Sequence, residues 1–81
     1  MEFINNTNLK NICLETGVAN LGYGPLKIHM SQGIGWITHN DEDIVLNEGE
    51  QIEFKPTRRP IVISSARHNQ PIAFEVEDIA S

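Results

Sequence analysis

The sequence predicts an all-β domain, a small antiparallel barrel or sandwich of about six or seven short strands. Between Ile34 and Phe54 the chain passes through three short apolar runs separated by two polar turn clusters. This punctuation, about every eight to ten residues, suits tight β connections and leaves no span for a long amphipathic helix. Wherever an apolar run is clean its period is two, and glycine, proline, asparagine and aspartate occupy the joints between runs.

Upstream of Leu26, the residues Leu9, Ile12 and Leu14 read as a strand or a short helical turn, and Gly17, Gly22, Gly24 and Pro25 mark an irregular connection. Leu26, Ile28 and Met30 then alternate with Lys27 and His29, the pattern of a strand with one buried face. Ser31-Gln32-Gly33 turns the chain into a second strand over Ile34 to Thr38, with Trp36 expected in the core. Gly35 beside it points to a bulge or to a place where another backbone or a large ring comes close.

His39-Asn40-Asp41-Glu42 reads as a turn, Asp43 to Leu46 as a strand with Ile44 and Leu46 on one face, and Asn47-Glu48-Gly49 as the close of a hairpin. Glu50 to Phe54 puts Ile52 and Phe54 inward and Gln51 and Glu53 outward. Lys55-Pro56-Thr57-Arg58-Arg59-Pro60 is a loop, because its two prolines remove donors and fix φ at both ends. Extended structure resumes over Ile61 to Ser65, a loop follows at Ala66 to Gln70, and Pro71 to Val76 closes the set before a frayed tail. The expected inward residues are Leu26, Ile28, Met30, Trp36, Ile44, Leu46, Ile52, Phe54, Ile61, Ile63, Ile72, Phe74 and Val76.

A length of 81 residues gives room for one domain over 1–81, with its core in 26–76. Cys13 is the only cysteine, so no intramolecular disulfide forms; the thiol is expected to fill core space, and a reducing cytoplasm fits a small, complete soluble protein. No stretch is apolar enough for an export signal or a membrane span. A net charge of -5 opposes attraction to a phosphate backbone, which excludes nucleic acid as the expected partner.

The charge is uneven, with acids crowded between Asp41 and Glu53 and bases just downstream. Lys55, Arg58 and Arg59 in a proline-framed loop suit a carboxylate or phosphate, and Arg67 and His68 join the same rim if the strands between them form a hairpin. His39 with Asp41 and Asp43 is the best remnant of a metal site, one nitrogen and two carboxylates, against the plainer reading of a solvated turn. His29, His39 and His68 are too scattered for structural zinc, and no cofactor is expected. Ser64, Ser65 and Cys13 lack the context of an activated nucleophile, and Asp41, Glu42 and Asp43 lack anything to raise a carboxylate pKa, so no catalytic residue is assigned. Gly22-Tyr23-Gly24 and Gly33-Ile34-Gly35 lack the third glycine and following helix of a dinucleotide loop.

The order Trp36-Ile37-Thr38, Asp43-Ile44-Val45-Leu46, Gly49-Glu50, a proline-containing turn and then the strand from Ile61 to Ala66 resembles a bacterial family known as domain of unknown function 2917, itself similar to a minimal cupin. The resemblance covers residues 26–76 and implies a cupin-like (RmlC-like) jelly roll. Metal-binding cupins carry a His-x-His pair, a following acid and a later histidine. Here His39 has no such companion, and Arg58-Arg59-Pro60 stands where the later histidine falls.

The expected function is therefore a non-catalytic binding or interaction module for a small anion or a protein partner. Homodimers are expected too, with Phe3-Ile4 lying across a neighbouring subunit's sheet. The alternative is a minimal or degenerate cupin enzyme for a small anionic metabolite, with Arg58 and Arg59 orienting substrate and His39 as general base.

Overall fold

The computed structural model describes residues 9–79. Within that span the chain forms eight strands and no helix: β1 (Leu9–Leu14), β2 (Val18–Asn20), β3 (Leu26–Gln32), β4 (Gly35–His39), β5 (Glu42–Leu46), β6 (Gln51–Phe54), β7 (Val62–Ser65) and β8 (Ile72–Asp78). They build two four-stranded antiparallel sheets, ordered β1-β8-β3-β6 and β2-β7-β4-β5. The two strands upstream of Leu26 are integral, since Ile12, Leu14, Ala19 and Leu21 all pack on the core. The strand count thus exceeds the six or seven expected. The placement of Phe3-Ile4 falls outside the described residues.

Among the described strands only β4 and β5 are consecutive in sequence and paired with each other. Their connection, Asn40-Asp41, has φ of 45° and 67° at its two residues, the type I′ geometry whose twist matches the flanking strands. The joint at Asn47-Glu48-Gly49 does not close a hairpin as expected, because β5 and β6 belong to opposite sheets. Gly49 does adopt the positive φ foreseen for it (+87°), but its N–H donates to Met30 O at 2.8 Å, stitching the crossing to β3. Turn chemistry alone does not separate a hairpin from a crossing between sheets; only burial of both inner faces does.

Between the sheets lie Leu26, Ile28, Met30, Ile37, Leu46, Phe54, Ile61, Ile63, Ile72 and Phe74. Among the described residues no polar or charged side chain is buried with them. Ile44, Ile52 and Val76 pack at the margin. Two expectations are corrected. Trp36 is 45% exposed, and Ile37 takes its place in the core; Cys13 is exposed, since β1 turns Ile12 and Leu14 inward on either side of it.

The cause of the first correction is Gly35. A Cβ there would meet the terminal methyl of Met30 and approach Ile63 Cδ1 to 3.1 Å, so a larger residue at this inward position requires both side chains to shift. Among the described residues neither a bulge nor a close backbone or large ring is found at Gly35: its nearest neighbours are the Met30 and Ile63 side chains, and the register of β4 with β5 and β7 runs through it unbroken. With position 35 inward, the period of two sends Ile37 inward and Trp36 outward.

Truncating Ile37 to alanine should therefore cost about 2–5 kcal/mol in urea unfolding followed by circular dichroism. Trp36→Ala should cost less than half as much, and a larger loss at Trp36 than at Ile37 would refute the register. Gly35→Ala should destabilise by about 1–3 kcal/mol through overpacking.

Candidate functional site

One end of the sandwich gathers the β4–β5 turn, residues 55–61 and residues 21–25. Cross-strand register enforces this: Asn20, Val62, Thr38 and Asp43 stand in one row, so the connections beyond them emerge together. The turn and the basic loop are bonded to each other. Arg58 N–H donates to Asn40 Oδ1 at 3.0 Å, and the Arg59 guanidinium donates from Nη1 to Asp41 Oδ1 at 2.7 Å. Asn40 and Asp41 tolerate the left-handed backbone of the turn and also supply the acceptors that hold the loop.

The loop is fixed from its other side as well. Leu21 N–H donates to Ile61 O and Ile61 N–H to Gly22 O, both at 2.7 Å, and Thr57 N–H donates to Tyr23 O at 2.8 Å. The Thr57 hydroxyl donates to Arg59 O at 2.6 Å. The Arg59–Asp41 pair is largely in solvent, so it contributes well under ~1 kcal/mol and orients more than it stabilises. Arg58 differs: its backbone is anchored, while its guanidinium has no ion pair or hydrogen bond among the described residues. Asn40, Asp41, Arg58 and Arg59 together line a shallow cavity of about 320 Å³.

Beside it, between the sheets, the described residues leave an open groove of about 430 Å³. Leu21, Leu26 and Val76 give it apolar walls, Lys10 and Asp78 polar ones, and the half-exposed Tyr23 stands at its rim. None of these residues carried a sequence motif. The irregular Gly22 to Pro25 connection was the only signal pointing there.

The predicted site residues do not all meet. Arg67 and His68 follow β7 whereas the basic loop precedes it, so they lie at opposite ends of that strand; β7 and β8 are in different sheets and form no hairpin. Arg67 and His68 instead border a separate polar cavity of about 270 Å³ with Ser64, Ser65 and Gln70. Lys55 is exposed in the basic loop but does not line the 320 Å³ cavity.

His39 turns away from the arginines. Its ring meets Phe54 edge-on, 4.7 Å between centroids, and its buried Nε2 has no hydrogen-bond partner. Glu42 Oε1 lies 3.8 Å from that nitrogen, too far for a hydrogen bond and an ionic contact only if the imidazole is protonated. Asp41 serves Arg59, and Asp43 accepts from the Thr38 hydroxyl at 3.0 Å. His39, Asp41 and Asp43 thus face three different neighbours, and among the described residues no three His, Cys, Asp or Glu side chains converge as ligands. The described residues do not supply the donor set of a metal-binding cupin. No helix among the described residues is long and apolar enough to cross a membrane.

Replacing Asn40 by glycine should keep the turn, which glycine's backbone accommodates, while removing the acceptor for Arg58 N–H. Loss of about 1 kcal/mol of local protection corresponds to roughly five-fold faster amide exchange at Arg58. Unchanged exchange there would show that the turn does not hold the loop.

No family model and no curated protein matches the chain. Solved structures do. A de novo designed double-stranded β-helix superimposes with a TM-score of 0.69 at 18% identity, over 89% of this chain and 99% of that one. A cupin protein from Bacteroides fragilis gives 0.65 at 22% identity over 90% of this chain and 66% of its own, and a cupin superfamily protein from Desulfitobacterium hafniense gives 0.65 at 14% over 99% and 75%. Two antiparallel sheets in this order, closed on an apolar interior, are the double-stranded β-helix, and the chain has the cupin fold.

Proposed function

We propose that this protein is a non-catalytic binding module of the cupin fold that holds a small anion, a carboxylate or phosphate, on Arg58 at the basic end of the sandwich. The observation that carries this is the contrast within one loop: Arg59 pairs with Asp41, while the neighbouring guanidinium has no partner among the described residues, on a backbone fixed by Asn40 and Thr57. A planar fork on a preorganised loop takes a bidentate anion with little ordering cost. Lys55 adds positive charge to the same loop. Arg67 and His68 are not part of this site. The enzyme reading gains nothing from the geometry, because His39 does not share a cavity with the arginines.

Membership in the family of domain of unknown function 2917 belongs to this proposal, supported by the Trp36-Ile37-Thr38 and Gly49-Glu50 pattern on a cupin fold. So does a reducing, cytoplasmic setting, which suits the exposed lone thiol of Cys13.

Thermal unfolding in the presence of inorganic phosphate, nucleotides and small dicarboxylates tests the site. A ligand at about a hundred times its Kd adds ~2.7 kcal/mol, a rise in Tm on the order of 10 °C for a domain of this size. Arg58→Gln should abolish the rise and Arg67→Gln should preserve it. A flat Tm across the panel, or a response that survives Arg58→Gln, overturns the proposal.

A further inference from the structure

The two outer faces of the sandwich have opposite chemistry. On the β1-β8-β3-β6 sheet the cross-strand rows run Leu9, Glu77, Lys27, Glu53 and Asn11, Glu75, His29, Gln51, a mostly charged and polar surface with Leu9 as its one apolar member. On the β2-β7-β4-β5 sheet one row runs Val18, Ser64, Trp36, Val45, each directly opposite the next. Val18, Trp36 and Val45 are 66%, 45% and 56% exposed. The adjacent row is Asn20, Val62, Thr38, Asp43, and Asp43 is the only charged side chain in the two rows. Three exposed apolar side chains in one row, broken only by the small Ser64 and carrying a single charge in two rows, set this face apart on a chain of net charge -5.

We propose that this face pairs with the same face of a second copy of the chain, about a two-fold axis lying in the interface and running along the strands between β7 and β4. Such a rotation reverses the order of each row. Trp36, the largest side chain of the face, then lies over Ser64 of the second copy, the smallest, and Val18 lies over Val45 of the second copy. In the adjacent row Val62 meets Thr38 of the second copy, and Asp43 meets Asn20 of the second copy rather than another carboxylate. The Asn20 Oδ1 is already occupied by Gly22 N–H at 2.9 Å, which leaves its amide nitrogen to donate. Size and charge are thus self-complementary under one operator, as an isologous interface requires. The geometry is the aligned packing of two sheets at ~10 Å.

Four strands spaced ~4.8 Å apart give a face only about 19 Å wide, at the small end of what a lasting pair needs, so association is reversible and concentration-dependent. This inference is independent of the anion site, which lies on the loops.

The test uses the full chain, in which Trp36 is the sole tryptophan. Between about 1 μM and 1 mM, sedimentation should show the mass rising from 9.1 kDa toward twice that value, with Trp36 emission shifting to the blue at the same midpoint. Val18→Lys and Val45→Glu should each weaken association at least ten-fold with unchanged circular dichroism. Mixing the two variants should restore it, because the rotation sets Lys at 18 against Glu at 45 of the second copy. A chain that stays at 9.1 kDa throughout overturns the proposal, including one whose emission shifts only when anionic vesicles or a foreign protein are added. So does a dimer indifferent to both variants, and so does a mixture that fails to recover.

Discussion

The missing side chain at Gly35 is the constraint from which much of this molecule follows. The two sheets interlock at this inward position, where Met30 and Ile63 occupy the space a Cβ would need and would have to shift to admit one. Because β4 pairs with both neighbours in unbroken register, its side chains alternate and that placement fixes the whole strand. Ile37 enters the core, Trp36 and Thr38 turn to solvent, and His39 reaches the margin against Phe54. The strand then ends in a two-residue turn whose left-handed residues, Asn40 and Asp41, become the acceptors that anchor the basic loop. The outward placement of Trp36 and the turn that meets the basic loop both follow from the register of this one strand.

The interior explains the division of labour in the rest of the chain. Ten apolar residues fill the space between the sheets, and among the described residues no polar or charged residue is fully buried with them. Chemistry is therefore displaced to the rims, where side chains hydrogen-bond loop backbones in place. Such bonds add little stability in solvent, but they reduce the conformational freedom that a bound ligand would otherwise have to freeze. Arg58 illustrates the arrangement: its main chain is fixed while, among the described residues, its guanidinium has no partner.

Strand periodicity was strong enough to be read directly. Leu26, Ile28 and Met30, Ile52 and Phe54, and Ile72 and Phe74 all face inward as their alternation predicts. The loop at 55–60 was legible because proline leaves no alternative. Trp36 misled because hydrophobicity argues for burial while register overrules it; the neighbouring glycine was the better signal. β1 and β2 were faint because partly buried strands, two of whose residues are Cys13 and Val18 facing solvent, lack a clean apolar pattern.

What the sequence determined by itself was the class of structure and the location of its joints, since both depend on local terms: the period of two, the φ freedom of glycine and the rigidity of proline. Which strands pair was beyond it. The Asn47 to Gly49 crossing and the Asn40-Asp41 hairpin use similar residues, and only the requirement that two apolar faces cover each other sends one chain segment across and folds the other back. For the same reason the tertiary structure alone separated Arg67 and His68 from Arg58 and Arg59 and brought Asn40 to the basic loop. Distances between loops are set by sheet order, and sheet order is a property of the packed whole.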